Sequence, residues 1–307
     1  LTLAKSGGIE PESLGIFSMG QASNPISDEL FAEWLDFLCD LDKFGAAATA
    51  LQLASMSLMS GRKLSPEQID HLITLDALGR ESKTRHNVML SCHWLQLAKR
   101  LVKEDAAYES DILSFILDNI ARSGAVSSAL GPEGTRFIDE LVSRRPEDTW
   151  RLIEADIRPP MGTKGIVLTY WIRGDHGFHG RDPGPIRHIP RELLWRWIAD
   201  DQEKRAAYVV GMAPKDFEPA SWTGSLIREL LTKFGDNSAI RSAAYANFFT
   251  GGWTGPASAH YANQKHLLEK ILESEGDPVA QLWLREAIDA TENNIQQARI
   301  KEEARGF

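Results

Sequence analysis

The sequence predicts an all-α protein, an α-solenoid of stacked helical hairpins. Capped, amphipathic stretches follow one another from about residue 25 to the end with short breaks. Two turn motifs recur in the last third of the chain. A single window reads as a strand, and a lone strand has nowhere to send its backbone hydrogen bonds.

Residues 1–24 are rich in Gly, Ser and Pro without a clear period and read as a linker or arm. Residues 25–160 read as N-terminal helical repeats. Ser27 before Asp28 and Glu29 is a cap followed by acidic residues in the first turn, where the helix dipole favours them. Leu30, Trp34, Phe37, Leu38 and Leu41 follow at helical spacing. Ala46 to Met59 reads as a second helix ended by Gly61. Ser65-Pro66-Glu67-Gln68 supplies a cap, a Pro at the first helical position and a capping-box Gln. Helices are expected from Arg85 to Val102 and from Glu109 to Arg122. Gly124, Gly131, Pro132 and Gly134 then break the chain before shorter helices at Phe137 to Arg144 and Pro146 to Ile153.

Residues 161–190 read as a connecting segment. Inside it, Gly165 to Ile172 is the strand-like window, read as helix for want of partner strands. Residues 173–190 form the longest irregular stretch. Residues 191–307 read as C-terminal repeats, with helices at Arg191 to Asp200, Glu203 to Gly211, Ser221 to Phe234, Asn237 to Phe249, Ser258 to Glu273 and from Pro278 onward. The last helix turns polar, as a terminal cap must.

Trp222-Thr223-Gly224 echoes Trp253-Thr254-Gly255, and Gly235-Asp236-Asn237 echoes Gly276-Asp277-Pro278 41 residues later. That period suits HEAT/armadillo-like units, and Ile240-Arg241 followed by Ala243-Ala244 resembles the second helix of a HEAT repeat, with Gln281 standing where the next Arg would fall. Asp236 and Asp277 are the expected caps. The repeats are degenerate, because no matching echo occurs in the first half.

The run Ile189 to Ile198, the two Trp-Thr-Gly turns, Trp283 and the closing Arg299-Ile300-Lys301-Glu302-Glu303 resemble the C-terminal helical-repeat region of bacterial antiphage STAND NTPases, whose architecture parallels NOD-like receptors. The resemblance spans roughly residues 185 to 305. It implies a sensing or scaffold end that binds a phage protein, with ATPase and effector domains upstream. No Walker A loop occurs in residues 1–307. The N-terminus lacks a signal-peptide pattern and an initiator Met, so the chain is expected to be a piece of a longer cytoplasmic protein, any oligomerisation running through other regions.

A net charge of −9 argues against nucleic acid and anionic membrane as the main partner. No apolar run has the length to span a bilayer. Cys39 and Cys92 lack metal or redox spacing and are expected in the core. Cys92 and His93 are adjacent on a helix, point about 100° apart and form no dyad. Gly251 to Pro256 lacks the Lys of a phosphate loop and reads as a turn locked by a packed Trp253.

The chain is therefore read as a non-catalytic recognition module without a cofactor. Its partner-binding candidates are Arg173, Phe178, Arg181, Arg187 and Trp197, a cationic and aromatic set of the kind enriched at interface cores. The alternatives are a general HEAT-repeat adaptor and, third, a metal-assisted hydrolase built on His176 and His179, weak as metal candidates because two loop histidines fall short of a zinc ligand set.

Overall fold

The computed structural model of the chain describes residues 5, 7, 27–41, 44–59, 61–75, 85–123, 126–158, 162–174, 184–249 and 253–305. They form fifteen α-helices and one short 3-10 turn, with no strand among the described residues. The chain divides into two compact units, residues 1–156 with 162–168 and residues 157–161 with 169–307.

The first unit holds α1 (Asp28–Asp40), α2 (Phe44–Met59), α3 (Pro66–Thr74), α4 (Arg85–Glu104), α5 (Tyr108–Ser123), α6 (Val126–Arg144) and α7 (Pro146–Ile153). Their ends are set by local chemistry. The Leu30 N–H donates to Ser27 Oγ, and Ser65 and Gln68 close a reciprocal capping box. Gly61 takes φ 81°, so that its own N–H and that of Arg62 reach back to the Leu58 and Ser57 carbonyls. Gly131, at φ 64°, breaks α6 into two helical pieces. α2 packs on α1 and α4, α4 on α6, and α5 on α6 and α7. Glu109, 5% exposed, is held by Arg144 Nε at 3.0 Å and Arg145 Nε at 2.9 Å, which ties the start of α5 to the end of α6.

The expectation that both thiols are buried holds for Cys39 alone. α4 turns Ser91, Trp94, Leu95, Ala98 and Leu101 inward, which leaves Cys92 on the opposite face, exposed. Burial, and then the neighbouring Asp36 and Asp40, push the Cys39 thiol up to about 12, so it stays protonated and unreactive at neutral pH.

α8 (Thr163–Arg173) contains the strand-like window. Leu168, Trp171 and Ile172 face inward while Ile166 and Tyr170 lie exposed, a helical division. The second unit continues through the 3-10 turn Pro185–His188 to α9 (Arg191–Ala199), α10 (Gln202–Met212), α11 (Pro219–Trp222), α12 (Leu226–Phe234), α13 (Ser238–Phe249), α14 (Ala257–Ser274) and α15 (Pro278–Glu303). The helix expected from Ser221 to Phe234 is two helices, because Thr223 and Gly224 end α11 and Ser225 Oγ caps α12 by accepting the Arg228 N–H. α10 packs on α9, α12 and α13, α12 on α15, and α14 along α15. No helix among the described residues is long and apolar enough to cross a membrane.

The turn echo is present with a corrected register. Asp277 caps α15, accepting from Val279 and Ala280. Asp236 does not cap α13; Asn237 does, accepting the Ala239 N–H at 2.8 Å, and the capping pair Asn237 and Asp277 is 40 residues apart. In that register Arg241 and Gln281 do the same work. Arg241 Nη1 donates to the Gly235 carbonyl at 2.7 Å, and Gln281 Nε2 donates to the Glu275 carbonyl, each reaching back six residues to lock the preceding turn. The Trp-Thr-Gly echo differs more. Trp222 is 2% exposed, whereas Trp253, expected to be packed, is 42% exposed and stacks on the His260 ring.

Glu275 is the focus of the second unit. Its side chain is 1% exposed. It accepts from Trp222 Nε1 at 2.6 Å, from Arg228 Nε at 2.8 Å and Nη2 at 2.9 Å, and from the Asp277 N–H at 2.8 Å. Phe217, Trp222, Phe248 and Trp283 stack beside it with ring centroids 4.7 to 6.4 Å apart. Burial alone raises the carboxyl pKa, but Arg228, the Asp277 amide and the Trp222 indole outweigh it and hold the group at about 2. A depressed carboxyl pKa stabilises the fold fully above the ordinary value of 4.5, and this stabilisation is lost as the pH falls toward 2. The drop from 4.5 to about 2 corresponds to about 3 kcal/mol. Glu275→Gln is therefore expected to destabilise the protein by about 3 kcal/mol at neutral pH and by much less near pH 2. Chemical denaturation of both proteins across that range checks this; a pH-independent difference would show that the ion pair is not its source.

Candidate functional site

The stretch expected to carry recognition, 173–190, is anchored at both of its described ends. On one side, α8 ends at Arg173 and Gly174. On the other, Pro185, Ile186 and Ile189 are buried and pin the 3-10 turn to the unit. The two ends meet, for the Gly184 N–H donates to the Arg173 carbonyl at 3.2 Å. A methyl group on Gly184 would lie 2.3 Å from the backbone of Ile172, Arg173 and Gly174. With φ −64° this glycine is needed for space and not for an unusual dihedral. Connections on a rigid scaffold often carry recognition residues.

Beside this base lies a groove of about 490 Å³. Thr169, Tyr170 and Arg173 of α8 form one wall, and Lys204, Tyr208 and Gly211 of α10 form much of the other. Tyr170 is 56% exposed. Gly211 leaves open space where any other residue would carry a side chain. The groove thus combines two phenol rings, an arginine, a lysine and the Glu203 carboxylate with an uncluttered floor, a mixture suited to a protein segment.

The structure distributes the sequence candidates unevenly. Arg173 lines the groove, and Arg187 is exposed in the 3-10 turn. Phe178 and Arg181, and the weak metal candidates His176 and His179, lie outside the described residues. Among the described residues no group of three His, Cys, Asp or Glu side chains is placed to hold a metal. Trp197 is 4% exposed with the Arg205 guanidinium 4.9 Å from its ring centre, so it is a packing residue and offers no surface to a partner. The neighbouring Trp195 is only half-buried, but Lys233 lies 5.1 Å over its ring. Cys92 is exposed, and burial holds the neighbouring His93 imidazole below its usual range.

Sequence reading missed Tyr170, Lys204, Tyr208, Gly211 and Gly184. Tyr208 and Gly211 are three residues apart on one helix, but nothing local says which face meets α8. Comparisons with family models, curated proteins and solved structures find no match.

Gly184→Ala is expected to destabilise the protein by about 1–3 kcal/mol, since backbone and not a movable side chain must give way. Chemical denaturation measures this, and a neutral substitution would mean that Arg173 and Gly184 do not meet as described.

Proposed function

We propose that the chain is a non-catalytic protein-recognition module, built as a HEAT-like stack of helical hairpins. Alternate helices lie side by side, α2 with α4, α4 with α6 and α10 with α12, which suits stacked hairpins. The equivalent turns at Asn237 and Asp277 fit a degenerate repeat of about 40 residues. The observation that carries the functional part is the meeting of Arg173 and Gly184, joined by a backbone hydrogen bond, beside a groove lined by Tyr170, Tyr208, Arg173 and Lys204. Arg173 lines the groove and Arg187 is exposed in the 3-10 turn, and in the sequence Phe178 and Arg181 fall between them. The partner is a protein. On the resemblance of residues 185 to 305 to antiphage STAND NTPases, it is a phage protein sensed by the end of a larger bacterial defence protein.

Gly211 allows a test that separates binding from folding. A Cβ there meets nothing within 4 Å, and replacing a helical glycine favours the helix. Partners captured from phage-infected and uninfected cell lysates are identified, purified and measured by calorimetry. Gly211→Leu and the pair Arg181→Glu with Arg187→Glu are each expected to weaken binding by about tenfold or more, without lowering the unfolding midpoint. Wild-type affinity in both variants would overturn the assigned surface. A partner captured equally from uninfected cells would favour a general adaptor over a phage sensor.

A further inference from the structure

A second surface of the C-terminal unit carries an anchor site that stands independently of the loop and groove. A cavity of about 660 Å³ opens between the start of α14 and the last turns of α15. Trp253 lines it, 42% exposed. Tryptophan is among the residues that most often anchor an interface. The indole is nevertheless held in place. The His260 ring lies parallel to it at 4.6 Å with a 6° angle between planes, and Tyr261 packs at 5.7 Å. An aromatic ring fixed before binding loses little freedom when a ligand arrives.

The charge around the cavity is specific. Lys301, in the last turn of α15, and Arg305, just past its end, line it, and neither pairs with a carboxylate among the described residues. Glu302 is the acidic residue of the same wall, and its carboxylate is already committed. It accepts the Ser258 N–H at 3.0 Å and the Ser258 hydroxyl, capping the start of α14 from another helix. Two cations are thus left facing a cavity in a chain whose net charge is −9. The Asn294 and Gln297 amides share the wall and supply donors and acceptors of the kind a peptide backbone uses.

We propose that this cavity binds an acidic peptide segment of a partner protein, with an apolar side chain seated against Trp253 and Tyr261 and its flanking carboxylates paired with Lys301 and Arg305. Tryptophan and arginine are the residues that most often dominate such contacts. Nucleic acid fits less well. Two cations beside Glu302 are few for a run of phosphates. An acidic peptide needs only a short match, and the apolar pocket selects its central residue.

The test uses the full chain and labelled acidic peptides, a set of short glutamate- and aspartate-rich sequences that vary only in the central residue, read by fluorescence anisotropy. Peptides with a central aromatic or leucine side chain are expected to bind saturably, and more weakly as salt rises. Serine at the centre, or lysines in place of the acids, should abolish binding. Trp253→Ala, and separately Lys301→Glu with Arg305→Glu, should each weaken binding by about tenfold or more with the helical circular dichroism unchanged. Gly211→Leu should bind the peptides as the wild type does, which keeps this site distinct from the groove beside α8. Absence of saturable binding by every acidic peptide, equal binding by the Trp253 and cation variants, or tighter binding of a labelled oligothymidylate would each overturn the proposal.

Discussion

The buried Glu275 carboxylate constrains the C-terminal unit more than any other group described. An ion taken out of water is costly, and it is tolerated only when its lone pairs are filled by well-placed donors. Here the donors come from separate places in the chain. Trp222 belongs to α11, Arg228 to α12 and the Asp277 amide to the turn that opens α15. One carboxylate therefore fixes the relative placement of three elements that sequence separates by up to 53 residues. Its neighbours add shape. Phe217, Trp222 and Trp283 stack with interplanar angles of 15° to 29°, and Phe248 meets Phe217 and Trp283 edge-on.

The groove inherits its order from that cluster. α12, held by Arg228, packs on α10, and α10 carries Lys204, Tyr208 and Gly211. Asn247 of α13 strengthens the same region by donating to the Val210 and Ala213 carbonyls at the end of α10, at 2.6 and 3.0 Å. Both carbonyls lie where the regular intrahelical bonds run out, and the Val210 carbonyl also accepts the Ala213 N–H. The end of α10 is thus tied down from inside the unit, while Lys204, Tyr208 and Gly211 on the same helix line the groove. The anchor cavity depends on a different tie, the Glu302 carboxylate on the start of α14, so the two surfaces can be disturbed separately.

Much of the helical order was legible because its signals are local. Ser27, Ser65, Asp277, Gly61 and Pro146 each fix a helix end through atoms within a few residues, and each falls where the sequence places it. Asp236 misled because Asn237 beside it caps equally well, and only the helix register decides between neighbours. Cys92 misled because a small apolar thiol suits either face, and the choice was made by Trp94 and Leu95. Trp253 misled because a motif shared with Trp222 describes a turn and not what lies over it. The Glu275 cluster and the walls of the groove were invisible for a simpler reason. Their members meet only through tertiary packing, and no local period brings Trp222, Arg228 and Glu275 together.

The measurement that bears most directly on this account is a double-mutant cycle between Arg228 and Glu275. Chemical denaturation of the wild type, Arg228→Ala, Glu275→Ala and the double variant isolates the pairwise energy. If the buried pair organises the C-terminal unit, the coupling should be about 2 kcal/mol or more at neutral pH, the range of close desolvated charge pairs. A coupling of about 0.5 kcal/mol or less, typical of exposed ion pairs, would contradict it.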